Sequence, residues 1–412
     1  MRRFLRRLTL TQWILVAMVA GVALGALSPH WAIVLEPLST VFLRMIKSLI
    51  VPLIFSTLVV GIAGHGDDMR RVGRLAVRSF VYFEGVTTLA LAVGLIVVNA
   101  VQPGRGVNLA NASPEQGTQL ANQMTTLSGV LEHVVPQSVF DAAARNEVLQ
   151  IVFWAVLFAI ALTRVHGQAK DRLLGFCEGL SEVTFQMVAL VMIFAPIGIG
   201  SALAATIGHH GLGVLGSLGK LVLTLYIALA IFCLFVFVPI ILITKVPLRA
   251  FLHAVREPAL IAFSTSTSEA ALPRAMEAME AMGVPRRIVA FVIPAGYSFN
   301  LDGSTLYLAV TALFAAQAAG LSLPLGHQLI IMLTLMLTSK GVAGVPRASL
   351  VVLSGALVAF GLPVQAVALI LGVDAFMDMA RTMVNVVGNC LASAVLAQWE
   401  GELGSPVPEA AI

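Results

Sequence analysis

The sequence predicts an all-α, polytopic membrane protein, and three observations predict it. Of its 412 residues, 58% are hydrophobic and 11% charged, against about 25% charged in soluble domains. A soluble chain this apolar would expose patches it could not cover. The apolar residues also gather into runs long enough to cross a bilayer, which takes about 20 residues of helix. Finally, the basic residues sit between alternate runs. Arg2, Arg3, Arg6 and Arg7 precede the first run, and Arg70, Arg71, Arg74 and Arg78 follow the second. Arg164, Lys170 and Arg172 follow the fourth, and Lys245, Arg249 and Arg256 the sixth. The loops around Ser28–Trp31 and His209–Gly213 carry no Lys or Arg, and the long loop 103–124 carries only Arg105. This positive-inside asymmetry puts the N-terminus in the cytoplasm. The net charge of +4 therefore follows from topology and calls for no nucleic-acid partner.

The first six spans are expected at 8–28, 39–64, 77–101, 146–165, 173–207 and 213–244. The opening run has the basic start of a signal peptide. Its apolar stretch reaches about 18 residues with no A-x-A cleavage site, so it is expected to stay as the first span. The stretch 103–124 is polar and rich in Gly, Pro and Asn, an extramembrane loop, and 125–145 continues it half-apolar toward the fourth span. Spans five and six are long enough to tilt or kink, and Pro196 and Gly198 allow a bend in the fifth. Cys177, Cys233 and Cys390 lie in apolar segments with no metal-binding spacing and are expected to be packing residues.

After residue 247 the pattern changes to four segments, 249–281, 284–320, 326–360 and 363–399. The first and third are interrupted by STSTSEAALPR (264–274) and TSKGVAGVPRAS (338–349). A chain that enters the membrane halfway, turns and leaves by the same side gives this pattern, and such backbone is tolerated only where protein buries it or it lines a cavity. Ala270-Ala271-Leu272-Pro273-Arg274 recurs 73 residues later as Ala343-Gly344-Val345-Pro346-Arg347. The C-terminal half is thus expected to be hairpin–helix–hairpin–helix, two copies of one unit, giving eight spanning helices and two re-entrant hairpins. Interrupted segments at corresponding positions of two repeats point to a transport site.

Two polar features sit in this half. SFNLDGSTLY, 298–307, interrupts an apolar segment: Gly303 is expected to loosen the helix, and Asp302 brings a charge that costs about 2.5–3.5 kcal/mol at mid-bilayer. In the last segment, at 100° per residue, Asp374, Asp378, Arg381, Thr382, Asn385 and Asn389 fall within an arc of about 100°. An arginine fork grips a carboxylate bidentately and an aspartate grips an ammonium, so the stripe suits a substrate carrying both charges. The oxygens of Asn300 and Asp302 at a helix interruption suit a hard monovalent cation.

These motifs carry a family likeness over essentially the whole chain. YFEGVTTLALAVGL in the third span, STSTSEAALP and GVAGVP at the two hairpin tips, NLDGS, and DMARTMVN in the last helix together resemble the dicarboxylate/amino acid:cation symporters, the family of the glutamate transporters. The resemblance implies inverted repeats, a homotrimer in the bacterial inner membrane and an elevator-type transporter. Scaffold helices would lie in 1–76 and 103–207, and a mobile transport domain in 77–102 and 208–412, with the second hairpin as extracellular gate. It implies that Arg381 binds the side-chain carboxylate of an acidic amino acid and Asp378 its amino group. Thr382, Asn385, Ser304, Ser266, Thr267 and Ser268 would complete that site, with Val345, Pro346 and Ala348 at the second tip. Cation sites would use Thr87, Gly296, Ser298, Asn300, Asp302, Asp374, Asn385 and Asn389, with carbonyls of Ser339, Lys340 and Val342; Na+ is the metal they could take.

The chain departs from the family pattern in ways that bear on the coupling ion. Asn389 stands where sodium-coupled members usually have Asp, and Leu301 replaces a Met. Leu308 occupies the place of a proton-carrying Glu in eukaryotic relatives. Glu84 and Glu269 resemble residues of proton-coupled bacterial members and are proton-relay candidates. The expectation is a symporter of glutamate or aspartate, H+ favoured over Na+, needing no cofactor beyond the co-transported ion and having no enzymatic activity. A C4-dicarboxylate symporter of the same fold is the alternative; Asp378 argues against it, since that substrate has no ammonium. An intramembrane aspartyl protease would need G-x-G-D and Y-D motifs within its spans; Gly64-His65-Gly66-Asp67 spells the first, but between the second and third spans, and no Y-D occurs.

Overall fold

A computed structural model of the chain describes residues 10–63, 69–107, 135–145, 147–210, 214–338 and 348–404. Every regular element among them is helical. The N-terminal half contains α1 (Leu10–Leu27), α2 (Pro29–Val34), α3 (Glu36–Ala63), α4 (Met69–Val101), α5 (Val139–Arg145), α6 (Val148–Thr163), α7 (Gln168–Met192) and α8 (Ala195–His210). Then follow α9 (Val214–Phe232), a π-turn (Cys233–Phe237) and α10 (Val238–Ile243). The C-terminal half contains α11 (Leu248–Thr265), α12 (Ser268–Ala281), α13 (Arg286–Phe299), α14 (Asp302–Ala318), α15 (Leu325–Thr338), α16 (Ala348–Ala359) and α17 (Ala366–Glu400).

Among the described residues, five stretches are long and apolar enough to cross a membrane: Pro29–Val60, Gly73–Val101, Gln168–Met192, Leu218–Ile243 and Val373–Glu400. Shorter apolar helices fall within α1, α6, α15 and α16. With the described helices this apolar, the chain is a multi-pass membrane protein.

Several expected elements differ in detail. The fifth span is two helices, α7 and α8, parted at Ile193–Phe194. Pro196 sits in the first turn of α8, where its missing N–H costs nothing. The sixth span carries a π-turn that the sequence did not announce. The third begins earlier than expected, so Arg70, Arg71, Arg74 and Arg78 ride on the first turns of α4 rather than in a loop. There Arg78 donates to Glu400 at 2.7 Å and to the Trp399 carbonyl at 3.1 Å, tying the start of α4 to the end of α17. The short helices α2 and α5 were not expected.

The two interrupted segments become two helix pairs. In the first, α11 ends at Ser266, which takes a left-handed φ of 52°, and α12 starts two residues later. Arg274 grips Glu257 with Nε at 3.0 Å and Nη2 at 3.1 Å, and holds Glu277 at 2.7 Å, stapling the arms together. In the second pair, α15 and α16 pack on each other and on α14. Its tip, 339–347, lies outside the described residues, and with it the expected positions Ser339, Lys340, Val342, Val345 and Pro346; of Ala348 only the backbone is described.

The helices form two groups. In one, α1 lies along α8, and α3 along α6, α7 and α8. A Cβ on Gly21 would stand 2.3 Å from the Gly200 carbonyl oxygen, so these backbones touch; small residues allow this approach where lipid removes the hydrophobic drive between helices. In the other group, α17 is surrounded by α9, α11, α12, α13 and α14, with α4 against α14. The spanning stretch of α17 is 89% buried. Neighbouring helices cover nearly all of it, so its polar stripe meets protein rather than hydrocarbon. Between the groups runs a separate apolar seam of Leu203, Ile207, Phe376 and Met379.

Candidate functional site

The break between α13 and α14 falls on Asn300 and Leu301. Asp302 therefore opens α14, where the positive end of the helix dipole favours a carboxylate. The side chain is fully buried, and the dipole goes some way to explain how a buried charge is tolerated. Gly303 does not loosen the helix, as the sequence led one to expect; it lies within α14. Its role is close approach, since a Cβ there would stand 2.2 Å from the Arg381 carbonyl oxygen. Only glycine lets α14 and α17 meet this closely.

Asn385 exploits that contact. The first turn of a helix leaves backbone N–H groups without partners, and α14 receives no cap from its own flanking residue Leu301. Asn385 supplies one from α17: its Oδ1 accepts the N–H groups of Gly303 at 2.8 Å and Ser304 at 3.2 Å, and its Nδ2 donates to Ser304 Oγ at 3.0 Å. Asn385 was expected to face substrate and cation. In this state its amide is spent on holding the two walls together.

One helical turn away, Arg381 is 3% exposed and sits between two acids. Its Nε donates to Asp378 Oδ1 at 2.8 Å and its Nη1 to Asp374 Oδ1 at 3.4 Å. Thr382 Oγ1 donates to the same Asp378 oxygen at 2.8 Å. The guanidinium carbon stands 4.1 Å from the centre of the Tyr307 ring, a cation–π contact. Tyr307 was missed as a functional residue; its contact with Arg381 is made across two helices and leaves no local signal in the sequence. Asp378, with its side chain 27% exposed, is the open edge of this otherwise closed cluster.

The second cluster lies at the start of α14. Asn300 Nδ2 donates to Asn389 Oδ1 at 3.1 Å. A Cβ on Gly296 would stand 2.2 Å from that oxygen, so glycine is required beside Asn389. Thr87 Oγ1, Ser298 Oγ, Asn300 Oδ1 and Asn389 Nδ2 are buried without a hydrogen-bond partner among the described residues. Buried polar groups rarely stay unpaired, and three of these four are oxygens. That donor chemistry fits an alkali cation or a water. Among the described residues no group of three or more His, Cys, Asp or Glu could hold a metal, which leaves mixed hydroxyl, amide and carboxylate oxygens as the donors on offer.

Of the remaining expected residues, Ser266, Thr267 and Ser268 form the half-buried turn of the first pair, whose two helices both pack on α17. Glu269 is half-buried at the start of α12, within electrostatic reach of Tyr297. Glu84 is half-buried on α4, one turn before Thr88, which faces Met336 near the second tip.

Residues 10–399 match the model of the Sodium:dicarboxylate symporter family. The chain is 44% identical to a C4-dicarboxylate transport protein of Solibacter usitatus, covering 96% of this chain and 94% of that one. It is 41% identical to a proton/sodium-glutamate symport protein of Bacillus subtilis, over 94% and 92%. With a proton/glutamate-aspartate symporter of Escherichia coli it shares 39%, over 96% and 93%. On a match spanning nearly its whole length, the chain belongs to the sodium:dicarboxylate symporter family.

Proposed function

We propose that the protein is a secondary active symporter that imports glutamate or aspartate with coupling cations, H+ in preference to Na+. The observation that carries the substrate is the Asp378–Arg381 pair. A buried arginine is costly to leave without an anion, so a neutral substrate is disfavoured. An aspartate at the open edge of the cluster offers an oxygen to an ammonium, which a C4-dicarboxylate lacks and would meet with repulsion. Arg381 is neutralised by Asp374 and Asp378. An incoming side-chain carboxylate would take over part of the guanidinium fork, and the ammonium would take over Asp378, so both charges exchange partners rather than lose them. Thr382 and Ser304 border the same space; Ser266, Thr267 and Ser268 would close it from the first pair.

Cation coupling is assigned to the second cluster: Thr87, Ser298, Asn300, Asp302 and Asn389, with Asp374 and Asn385 between the two. The preference for H+ rests on the amide at Asn389, which removes one full charge from a sodium site; Glu84 and Glu269 would carry the proton. The two helix pairs are read as re-entrant hairpins flanking this site, and the group around α17 as the mobile part of an elevator. The small apolar seam between the groups would be the sliding surface. A homotrimer in the inner membrane with a cytoplasmic N-terminus completes the proposal.

The test is uptake of glutamate in proteoliposomes with sodium and pH gradients imposed separately. Uptake driven by a proton gradient without sodium is expected; strict sodium dependence would overturn the H+ preference. Asp378→Ser is expected to abolish glutamate binding, and unchanged glutamate affinity would remove the amino-group role. The second reading, a C4-dicarboxylate symporter, is favoured by the name of the Solibacter relative. Succinate uptake by the unaltered protein that exceeds glutamate uptake would establish it.

A further inference from the structure

The π-turn at Cys233–Phe237 has no part in the function argued so far. A π-turn spaces residues five apart onto one face of a helix, and here it stacks Phe237 edge-on against Phe232, ring centres 4.8 Å apart. Both rings are buried, while Leu234 and Phe235 between them are 57% and 67% exposed. The turn thus has an outward face of two large apolar residues and an inward face of two phenylalanines.

What the inward face meets is decided by Gly388. A Cβ there would stand 2.7 Å from Asp302 Oδ2, 3.0 Å from Phe237 Cζ and 3.5 Å from Asn300 Nδ2. The far edge of the Phe237 ring, the buried carboxylate and the amide therefore converge on one point that a side chain on α17 would fill. The edge of a phenyl ring is the positive end of its quadrupole. Presented to a carboxylate it is favourable; presented to a cation it is not. Ser298 Oγ and Asn300 Oδ1, two residues apart at the end of α13, are buried without a hydrogen bond among the described residues, and the amide nitrogen of Asn300 is already directed to Asn389.

We propose that Phe237, delivered by the π-turn that follows α9, is a positioning residue for the coupling cation: it seals the Asp302–Asn300 pocket on the α9 side and confines the cation to the side away from the ring. The inference rests on the assignment of Asp302 to the cation site. Removing the ring leaves a cavity bordered by the carboxylate and the Asn300 amide, polar enough to hold water drawn from within the protein. Water solvates the ionised carboxylate and competes with the hydroxyl and amide oxygens, and charge interactions weaken as the local dielectric rises. A proton and a sodium ion are affected in the same direction: each would have to be more concentrated to bind.

The experiment is glutamate uptake by proteoliposomes containing the full-length protein, titrated with proton and with sodium. The variants are Phe237→Leu, Phe237→Val, Phe237→Ala and, as a control in the same turn, Phe235→Ala. The expected result is a graded, several-fold rise in the cation concentration for half-maximal uptake, smallest for Leu and largest for Ala. The glutamate KM at saturating cation should stay unchanged, and Phe235→Ala should match the parent. If Ala does not fold, the order of Phe, Leu and Val decides. Equal shifts in cation and glutamate dependence, no shift at all, or the same shift in Phe235→Ala would each overturn the proposal. Asp302→Asn separates the two levels. If that variant keeps its cation dependence, the assignment of Asp302 fails; if it loses it while the Phe237 series is flat, only the role of Phe237 fails.

Discussion

The two clusters on α17 lie within about four turns of one another, yet they are built on opposite terms. Around Arg381 the charges and the Thr382 hydroxyl find one another, Asp374, Asp378 and Thr382 by hydrogen bond and the Tyr307 ring by its face, with the Tyr307 hydroxyl left unbonded among the described residues. Around Asn300, buried polar atoms are left without a hydrogen bond on Thr87, Ser298, Asn300 and Asn389. A cluster that satisfies itself can stand empty and must exchange partners to bind. A cluster with orphaned oxygens pays a desolvation penalty of about 1–3 kcal/mol per group until something fills it. The difference fits a transporter whose substrate site must be stable both loaded and empty, and whose ion site is the part that responds to loading.

The largest effect is expected from breaking the self-satisfied cluster. Arg381→Ala leaves Asp374 and Asp378 without their counter-charge, and uncompensated buried charge costs about 3–5 kcal/mol. Glutamate uptake should vanish and thermal unfolding in detergent should fall sharply. Arg381→Lys keeps the charge but cannot span two acids with one planar fork, so it should recover stability in part and uptake hardly at all. Full uptake by the lysine variant would mean that charge alone, without the fork, defines this cluster.

Next comes the contact that joins the clusters. Gly303→Ala drives a methyl into the Arg381 carbonyl, 2.2 Å away, and must part α14 from α17. Overpacking costs about 1–3 kcal/mol. Since Asn385 caps α14 from α17, the same displacement should weaken glutamate and cation dependence together. If only one moved, the clusters would be independent and the shared hinge at Asn385 would be wrong.

Asn389→Asp sharpens the comparison from the ion side. The substitution keeps the oxygen that accepts from Asn300 at 3.1 Å and adds one negative charge near Asp302. The cluster should then demand a cation more strongly, with a several-fold lower half-saturating sodium concentration and little change in glutamate KM at saturating cation. Uptake that stays indifferent to sodium in this variant would place the ion elsewhere.

How much of this was legible in the sequence follows from which physics each feature obeys. The stripe on α17 was legible because helical periodicity alone puts Asp374 through Asn389 on one face, and the break between α11 and α12 because a run of Ser and Thr offers the backbone hydrogen bonds outside a helix. Asp302 was legible as a costly charge, but its place in the first turn of α14 was not, because the break at Asn300–Leu301 comes from packing against α17. Gly303 was misread for the same reason: a glycine in a helix looks like looseness until the carbonyl it admits is seen. The cap that Asn385 gives α14 spans 81 residues and leaves no periodic trace. The π-turn was hidden among apolar residues that suit an α-helix equally well, and the expected contacts of 339–347 stay with the sequence.

The smallest expected effect tests the comparison most directly, because its sign is unusual. Thr87→Val replaces a fully buried hydroxyl that has no hydrogen-bond partner among the described residues with a methyl of the same shape. In an ordinary site, losing a hydroxyl costs a hydrogen bond. Here there is none to lose in the empty protein, so the variant should be as stable as the parent without cation, or more stable by up to about 1 kcal/mol. Adding the coupling cation should then stabilise it less than it stabilises the parent, since stabilisation by a ligand scales with its affinity for the folded state. The curves of melting temperature against cation concentration should therefore cross or converge. Thr382→Val is the mirror experiment in the other cluster. Its hydroxyl is bonded to Asp378 at 2.8 Å, so that variant should lose about 1 kcal/mol or more with or without cation. If Thr87→Val instead behaves like Thr382→Val, the hydroxyl already has a partner in the empty protein, and the contrast between a satisfied and a waiting cluster does not hold.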